Sequence, residues 1–183
     1  MRKTYLKLAS AAAVLAMAMG SQAAMAQTSD TIDATATVIT PLAVAAGDNL
    51  RFGTIGVGTT ASTIEVTTAG VATVATGGNA VLYTGAGRGS FDVSGQDTLL
   101  YDVDVTGTPD AAATADGIVL TAVTAACAGG TAGGTALAPT LIECTTYGSN
   151  VVTIGGTLAV ADDATVNTAE VTVGVIEAIV SYN

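Results

Sequence analysis

The chain is expected to fold as an all-β protein, an antiparallel β-sandwich. Beyond Gln27, apolar residues recur at every second position, the period of a half-buried strand. Thr, Val and Gly, all poor helix formers, dominate the same region, and nothing in it reads as a helix. Short alternating runs are separated by clusters of Gly, Asn and Asp, the punctuation of a many-stranded sandwich. Of the 183 residues, 50% are hydrophobic and only 11% charged, which is too apolar for intrinsic disorder and enough to bury one core. Aromatics are 4%, so Ala, Val and Thr must build most of that core.

The chain opens on Arg2, Lys3 and Lys7, followed by the apolar run Leu8 to Met19 and the small-residue sequence Ala24-Met25-Ala26. That pattern predicts a signal peptide over residues 1–26, cut between Ala26 and Gln27, and therefore an exported protein. The run is shorter than the ~20 residues a helical span needs, so no direct membrane span is expected. Residues 27–40 are then an N-terminal strand and 41–183 the sandwich domain. In the first segment Ile32, Ala34, Ala36 and Val38 alternate with Thr31, Asp33, Thr35 and Thr37.

Twelve strands are expected: Thr31–Thr40, Leu50–Ile55, Thr63–Thr67, Ala72–Thr76, Ala80–Tyr83, Ser90–Val93, Leu99–Val105, Ile118–Val123, Thr140–Cys144, Val151–Ile154, Leu158–Val160 and Glu170–Tyr182. In the last, Val171, Val173 and Val175 keep one phase and Ile176, Ala178, Val180 and Tyr182 the other, which predicts a bulge near Gly174 to Ile176. Gly107–Gly117 and Ala128–Pro139 read as loops. Cys127 and Cys144 stand 17 residues apart in an exported chain and are expected to form one disulfide, worth about 3 kcal/mol if unstrained.

All 15 acidic residues lie beyond the cut with only Arg51 and Arg88, giving the mature chain a net charge of −13 and neither Lys nor His. Nucleic acid and anionic membrane surfaces are excluded as partners, because both require a basic patch. Without His there is no Ser–His or Cys–His pair and no imidazole metal site; without Lys there is no Schiff base. No cofactor is implied. Asp102 and Asp104 sit at i and i+2, so both face one side of a strand, opposite Tyr101, Val103 and Val105. The pair can be read as a Ca²⁺ or acid/base site, but a solvated strand face accounts for it. Asp162-Asp163 reads as a turn, Asp92 and Asp97 as hairpin positions, and Phe52 and Phe91 as core anchors. Tyr83, Tyr101, Tyr147 and Tyr182 are the components available for a sugar-binding platform. Arg51 and Arg88 can be read as pairing with acids across a subunit contact, or as partners in ordinary exposed ion pairs.

Several short motifs together resemble one family. They are the lead into Pro41-Leu42-Ala43-Val44, then Leu50-Arg51-Phe52-Gly53-Thr54-Ile55, then Phe91-Asp92-Val93-Ser94-Gly95. The Tyr101-led strand follows, then the turn-like Ile154-Gly155-Gly156-Thr157-Leu158 and a last strand ending in Tyr182. They resemble an exported domain-of-unknown-function family similar to the major subunits of Mat/Ecp common-pilus fimbriae. The resemblance spans most of the mature chain. It departs at Asn167-Thr168-Ala169-Glu170-Val171, where the family has a Tyr-Ser-Gly-like step, and in the segment between the cysteines.

What the resemblance implies is an immunoglobulin-like sandwich that serves as a structural, non-enzymatic subunit of a surface fimbria. Its implied partners are copies of itself, a periplasmic chaperone and an outer-membrane usher. In such assembly a sandwich lacking one strand takes its missing strand from the next subunit. Ile32, Ala34, Ala36 and Val38 fit a donor strand, and equally the domain's own first strand. The competing expectation is a secreted or surface-layer β-sandwich binding module for carbohydrate or calcium that stays monomeric. A carboxylate glycosidase would need sugar-binding aromatics that are scarce here, and an outer-membrane barrel would need aromatic girdles.

Overall fold

The structure is a computed structural model that describes residues 31–75, 78–127, 137, 140–144, 150–167 and 169–183. The chain divides into two units, residues 1–37 and 38–183. Of the first, residues 31–37 are described: they form no strand and their side chains are exposed. The predicted cleavage site at Ala26 and Gln27 lies outside the described residues.

The second unit is an antiparallel β-sandwich, as its alternation predicts. Its strands are β1 (Ala43–Ala46), β2 (Arg51–Phe52), β3 (Ile55–Gly56), β4 (Ser62–Val66), β5 (Ala72–Val74), β6 (Val81–Leu82) and β7 (Ala86–Gly87). They continue with β8 (Gly89–Ser94), β9 (Tyr101–Pro109), β10 (Ile118–Ala126), β11 (Thr140–Cys144), β12 (Asn150–Val160) and β13 (Gly174–Tyr182). The wide sheet has the order β1-β8-β12-β4-β5, with β10 on the other side of β12; the narrow sheet is β11-β9-β13. Two short ribbons, β2–β7 and β3–β6, complete the set. Between the sheets Ile64, Val66, Val103, Ile142, Val152 and Leu158 are buried.

The eleven-residue β12 is the hub. Its first half pairs β8, Asn150↔Val93 through Ile154↔Gly89. Its second half pairs β4, Gly156↔Val66 through Val160↔Ser62. Along its other side it pairs β10, with a register shift between Leu120 and Ala122. Gly155 and Gly156 therefore lie inside one continuous strand and not in a turn between two. They sit where the neighbour changes from β8 to β4. A Cβ on Gly155 would collide with the carbonyl oxygen of Val66 and come within 2.6 Å of Thr124 Oγ1. A Cβ on Gly156 would sit 2.9 Å from Leu50 Cδ2 and 3.0 Å from the Ala122 oxygen.

Other expectations are corrected for identifiable reasons. Residues 31–42 contain no strand; the first begins at Ala43. The single strand expected over Leu50–Ile55 is two, because Gly53 takes φ +79°, where its backbone lies against Thr84 and Ala86. The loop expected at Gly107–Gly117 extends β9 to Pro109 and then forms a short helix, α1 (Ala111–Ala115). Asp110 caps it by accepting from the Ala112 and Ala113 amides at 2.9 and 3.0 Å, and the Ala run supplies high helix propensity. No bulge interrupts the last strand, which pairs β9 in one register from Gly174↔Pro109 to Tyr182↔Tyr101. The apparent change of phase arises because residues 170–173 precede the strand.

Cys127 and Cys144 are bonded, with Cα atoms 5.9 Å apart. Cys127 follows β10 and Cys144 ends β11, so the bridge ties an edge of the wide sheet to an edge of the narrow one. Phe52 is buried as expected, whereas Phe91 is only partly so. Tyr101 is 1% exposed. Burial pushes its pKa above the ordinary 10.0.

Gly155→Ala is expected to destabilise the domain by about 3 kcal/mol in urea unfolding, since the obstructing atoms include backbone. Gly87→Ala, with nothing within 4 Å of the added Cβ, is expected to stay within about 0.5 kcal/mol. The pH dependence of Tyr101 follows from the raised folded-state pKa. The unfolded chain loses that proton first, so the contribution is complete below the ordinary value of 10.0 and is lost as pH rises above it. The urea midpoint is expected to fall above pH 10.0, and Tyr101→Phe to remove this part of the fall.

Candidate functional site

The narrow sheet ends at β13, which pairs β9 along its whole length and has no strand on its other side among the described residues. An open edge of this kind presents a row of unpaired backbone donors and acceptors. Neither Lys nor Pro, two residues that commonly blunt such edges, occurs in Gly174–Tyr182. Burial across the sheet falls in the same direction. On β9 the core-facing Tyr101, Val103 and Val105 are at most 2% exposed. On β13 the core-facing Ile176, Ala178 and Val180 pack against the core yet are only half-buried. Outward-facing Val175 and Ile179 are 66% and 58% exposed. On the wide sheet, edge strand β1 is likewise exposed at every residue. One flank of the sandwich is thus left incompletely covered.

Tyr182 closes one end of this flank. Its hydroxyl donates to the Thr40 carbonyl at 2.5 Å and accepts from the Gln96 amide at 2.7 Å. The Thr40 amide donates to Gln96 Oε1 at 3.2 Å. The last strand, the turn after β8 and the lead into β1 are held together by this one phenol. Gly95 makes room for it: a Cβ there would sit 2.7 Å from both Tyr182 Oη and Leu42 Cδ2.

The candidate donor residues lie just before that anchor. Ile32 is 95% and Val38 94% exposed, and Ala34 and Ala36 are also exposed. None of them is in a strand. A segment whose sequence alternates an apolar and a polar phase therefore precedes the domain without a ladder of its own. The structure does not describe residues 27–30.

The remaining candidates do not converge. Asp102 and Asp104 lie on the outer face of the narrow sheet, opposite Glu143 and Leu141 on β11 and Ser181 and Ile179 on β13. One oxygen of each aspartate is buried without a hydrogen-bond partner, but no group of three metal-ligating side chains occurs among the described residues. Tyr83 is exposed, Tyr101 is in the core, Tyr182 is engaged at Thr40 and Tyr147 lies outside the described residues, so those described form no shared aromatic platform. Neither arginine makes the expected ion pair among the described residues; Arg88 donates instead to the Thr68 carbonyl at 3.3 Å. No described helix is long and apolar enough to cross a membrane. Asp162 and Asp163 form a turn, as expected.

The motif residues have structural reasons to be there. Phe52, Tyr101 and Leu158 are core, and Leu50 and Phe91 pack against it. Gly53, Gly95, Gly155 and Gly156 permit close backbone approaches. The Tyr182 anchor was not legible beforehand, because its partners are 86 and 142 residues away.

The class these features define is an antiparallel β-sandwich with an unpaired C-terminal edge strand. Residues 42–182 match the model of the family described as a domain of unknown function, DUF4402, and the chain belongs to that family. Comparison with curated proteins and with solved structures found no match to either.

Tyr182→Phe is expected to cost about 1–2 kcal/mol, because it leaves the Gln96 amide and the Thr40 carbonyl without their partner. Urea unfolding reads the loss, and amide exchange at Gln96 should speed up more than exchange in the middle of β12.

Proposed function

We propose that this chain is a structural subunit of a bacterial cell-surface fimbria that polymerises by strand donation. The observation that carries the reading is the open edge of β13, with its inner face half-buried. The exposed, alternating segment around Ile32, Ala34, Ala36 and Val38 is the complementary part. In this reading the segment of one copy completes the sandwich of the next. The contact is heterologous, so it does not close and a filament grows. Before assembly the open edge requires temporary cover, the role of a periplasmic chaperone, and the filament leaves through an outer-membrane usher. Export follows from the N-terminal signal pattern. The chain acts as a building element and not as an enzyme.

The test is a gel of material sheared from the cell surface, run in SDS with and without boiling. The expected result is a ladder that collapses on boiling to one band below the 17.7 kDa of the full chain. An inserted strand leaves only through slow unfolding, which is why the ladder resists SDS without heat. Deleting residues 27–37 should remove the ladder and keep a folded monomer. A lone monomer band in both lanes would overturn the reading and favour a secreted, monomeric binding module.

A further inference from the structure

We infer that the donated segment of a second copy pairs antiparallel with β13, placing Ile32 opposite Val180, Ala34 opposite Ala178, Ala36 opposite Ile176 and Val38 over Gly174. This geometry rests on the strand-donation reading and assigns its acceptor, polarity and register.

Phase comes first. Directly paired residues in a sheet share a face. The inward face of β13 is the set from Gly174 to Tyr182 that includes Ile176, Ala178 and Val180, since these pack on the core while Val175 and Ile179 are exposed. The donor must therefore present its apolar phase to the same side, and a slip of one residue would turn Asp33 and the threonines inward. Length is compatible: residues 31–40, if extended, and the nine residues of β13 each span about 30 Å.

Polarity follows from the Tyr182 anchor. Thr40 of each copy is held beside the C-terminal end of its own β13. A donor lying parallel to β13 would bring its own Thr40, and the sandwich attached to it, to that same end. There the acceptor's Thr40, Leu42 and Gln96 already surround Tyr182. A donor lying antiparallel delivers its sandwich to the Gly174 end and leaves the Tyr182 end for the acceptor's own outgoing segment. Successive copies then stack head to tail.

Register follows from charge and size. In the proposed alignment Asp33 faces Ile179 and Thr35 faces Glu177. A shift of two residues one way sets Asp33 directly opposite Glu177, a like-charge pair that destabilises a ladder. The same shift the other way stacks Ile32 on Tyr182 and Val38 on Ile176 and sets Thr40, which the donor copy's own Tyr182 already holds, over Gly174. In the proposed register Thr40 stays with its own Tyr182, Val38 lies opposite Gly174 and Ala34 meets Ala178.

The test uses the full-length chain assembled on cells, with two double variants, Ile32→Cys/Val180→Cys and Val38→Cys/Val180→Cys. Each is oxidised and then boiled in SDS without reductant. The expected result is a ladder that survives boiling for the first variant and collapses on adding reductant, with monomer only for the second. A boiling-resistant ladder from the second variant in place of the first would establish the parallel arrangement and overturn this geometry, with strand donation intact. An unboiled ladder from both variants with neither cross-linking would show that the donor docks elsewhere than in this register on β13, and would likewise overturn it. Absence of any unboiled ladder from the unsubstituted chain would defeat the strand-donation reading and this geometry with it.

Discussion

Three neighbours converge on the middle of β12, and the absence of two side chains there lets them. β12 exchanges β8 for β4 along one side while β10 runs along the other. The Val66 carbonyl, Thr124 and the Ala122 carbonyl close around Gly155 and Gly156 at distances that leave no room for a Cβ. Glycine in a strand interior costs conformational entropy and packing. Here that cost is offset by the wide sheet it makes possible. If the crossing were spread apart, β4 and β5 would separate from β8 and β1, and the core residues Ile64, Val66, Val152 and Leu158 would lose their common layer.

The two flanks of the sandwich are secured by different chemistry. On one, the Cys127–Cys144 bond ties β10 to β11 covalently, closing a loop for which the chain-entropy model gives about 3 kcal/mol. On the other, the tie is a pair of hydrogen bonds at the Tyr182 hydroxyl, each worth about 1 kcal/mol net. On the side away from β9, β13 has no paired strand among the described residues. Any added strand therefore has a ready place on the weakly tied flank, whereas the opposite flank is stapled. In the strand-donation reading this asymmetry gives each subunit one acceptor side.

Charge bears on the same point. The region beyond the expected cleavage site carries no Lys, and its open edge strand has only Glu177 among its side chains as a charge. One outward-facing carboxylate discourages chance pairing with acidic strands and tolerates the threonines of residues 31–40. In the strand-donation reading this single charge makes the edge selective without closing it to every strand.

Much of the fold was legible in the alternation itself. Period-2 patterning placed Thr63–Thr67, Ser90–Val93, Ile118–Val123 and Thr140–Cys144 on observed strands, and the expectation of a Cys127–Cys144 disulfide holds. Alternation did not distinguish a paired strand from an unpaired segment with the same pattern. That is why residues 31–40 read as a strand yet carry no ladder. It also did not separate a glycine that turns from one that permits a crossing, so Gly155-Gly156 read as a turn. Local sequence determines which face of a segment is apolar, because side-chain direction is fixed by the backbone period. Which edges remain unpaired, and that Tyr182 holds Thr40 across 142 residues, is decided only when all strands compete for neighbours in three dimensions.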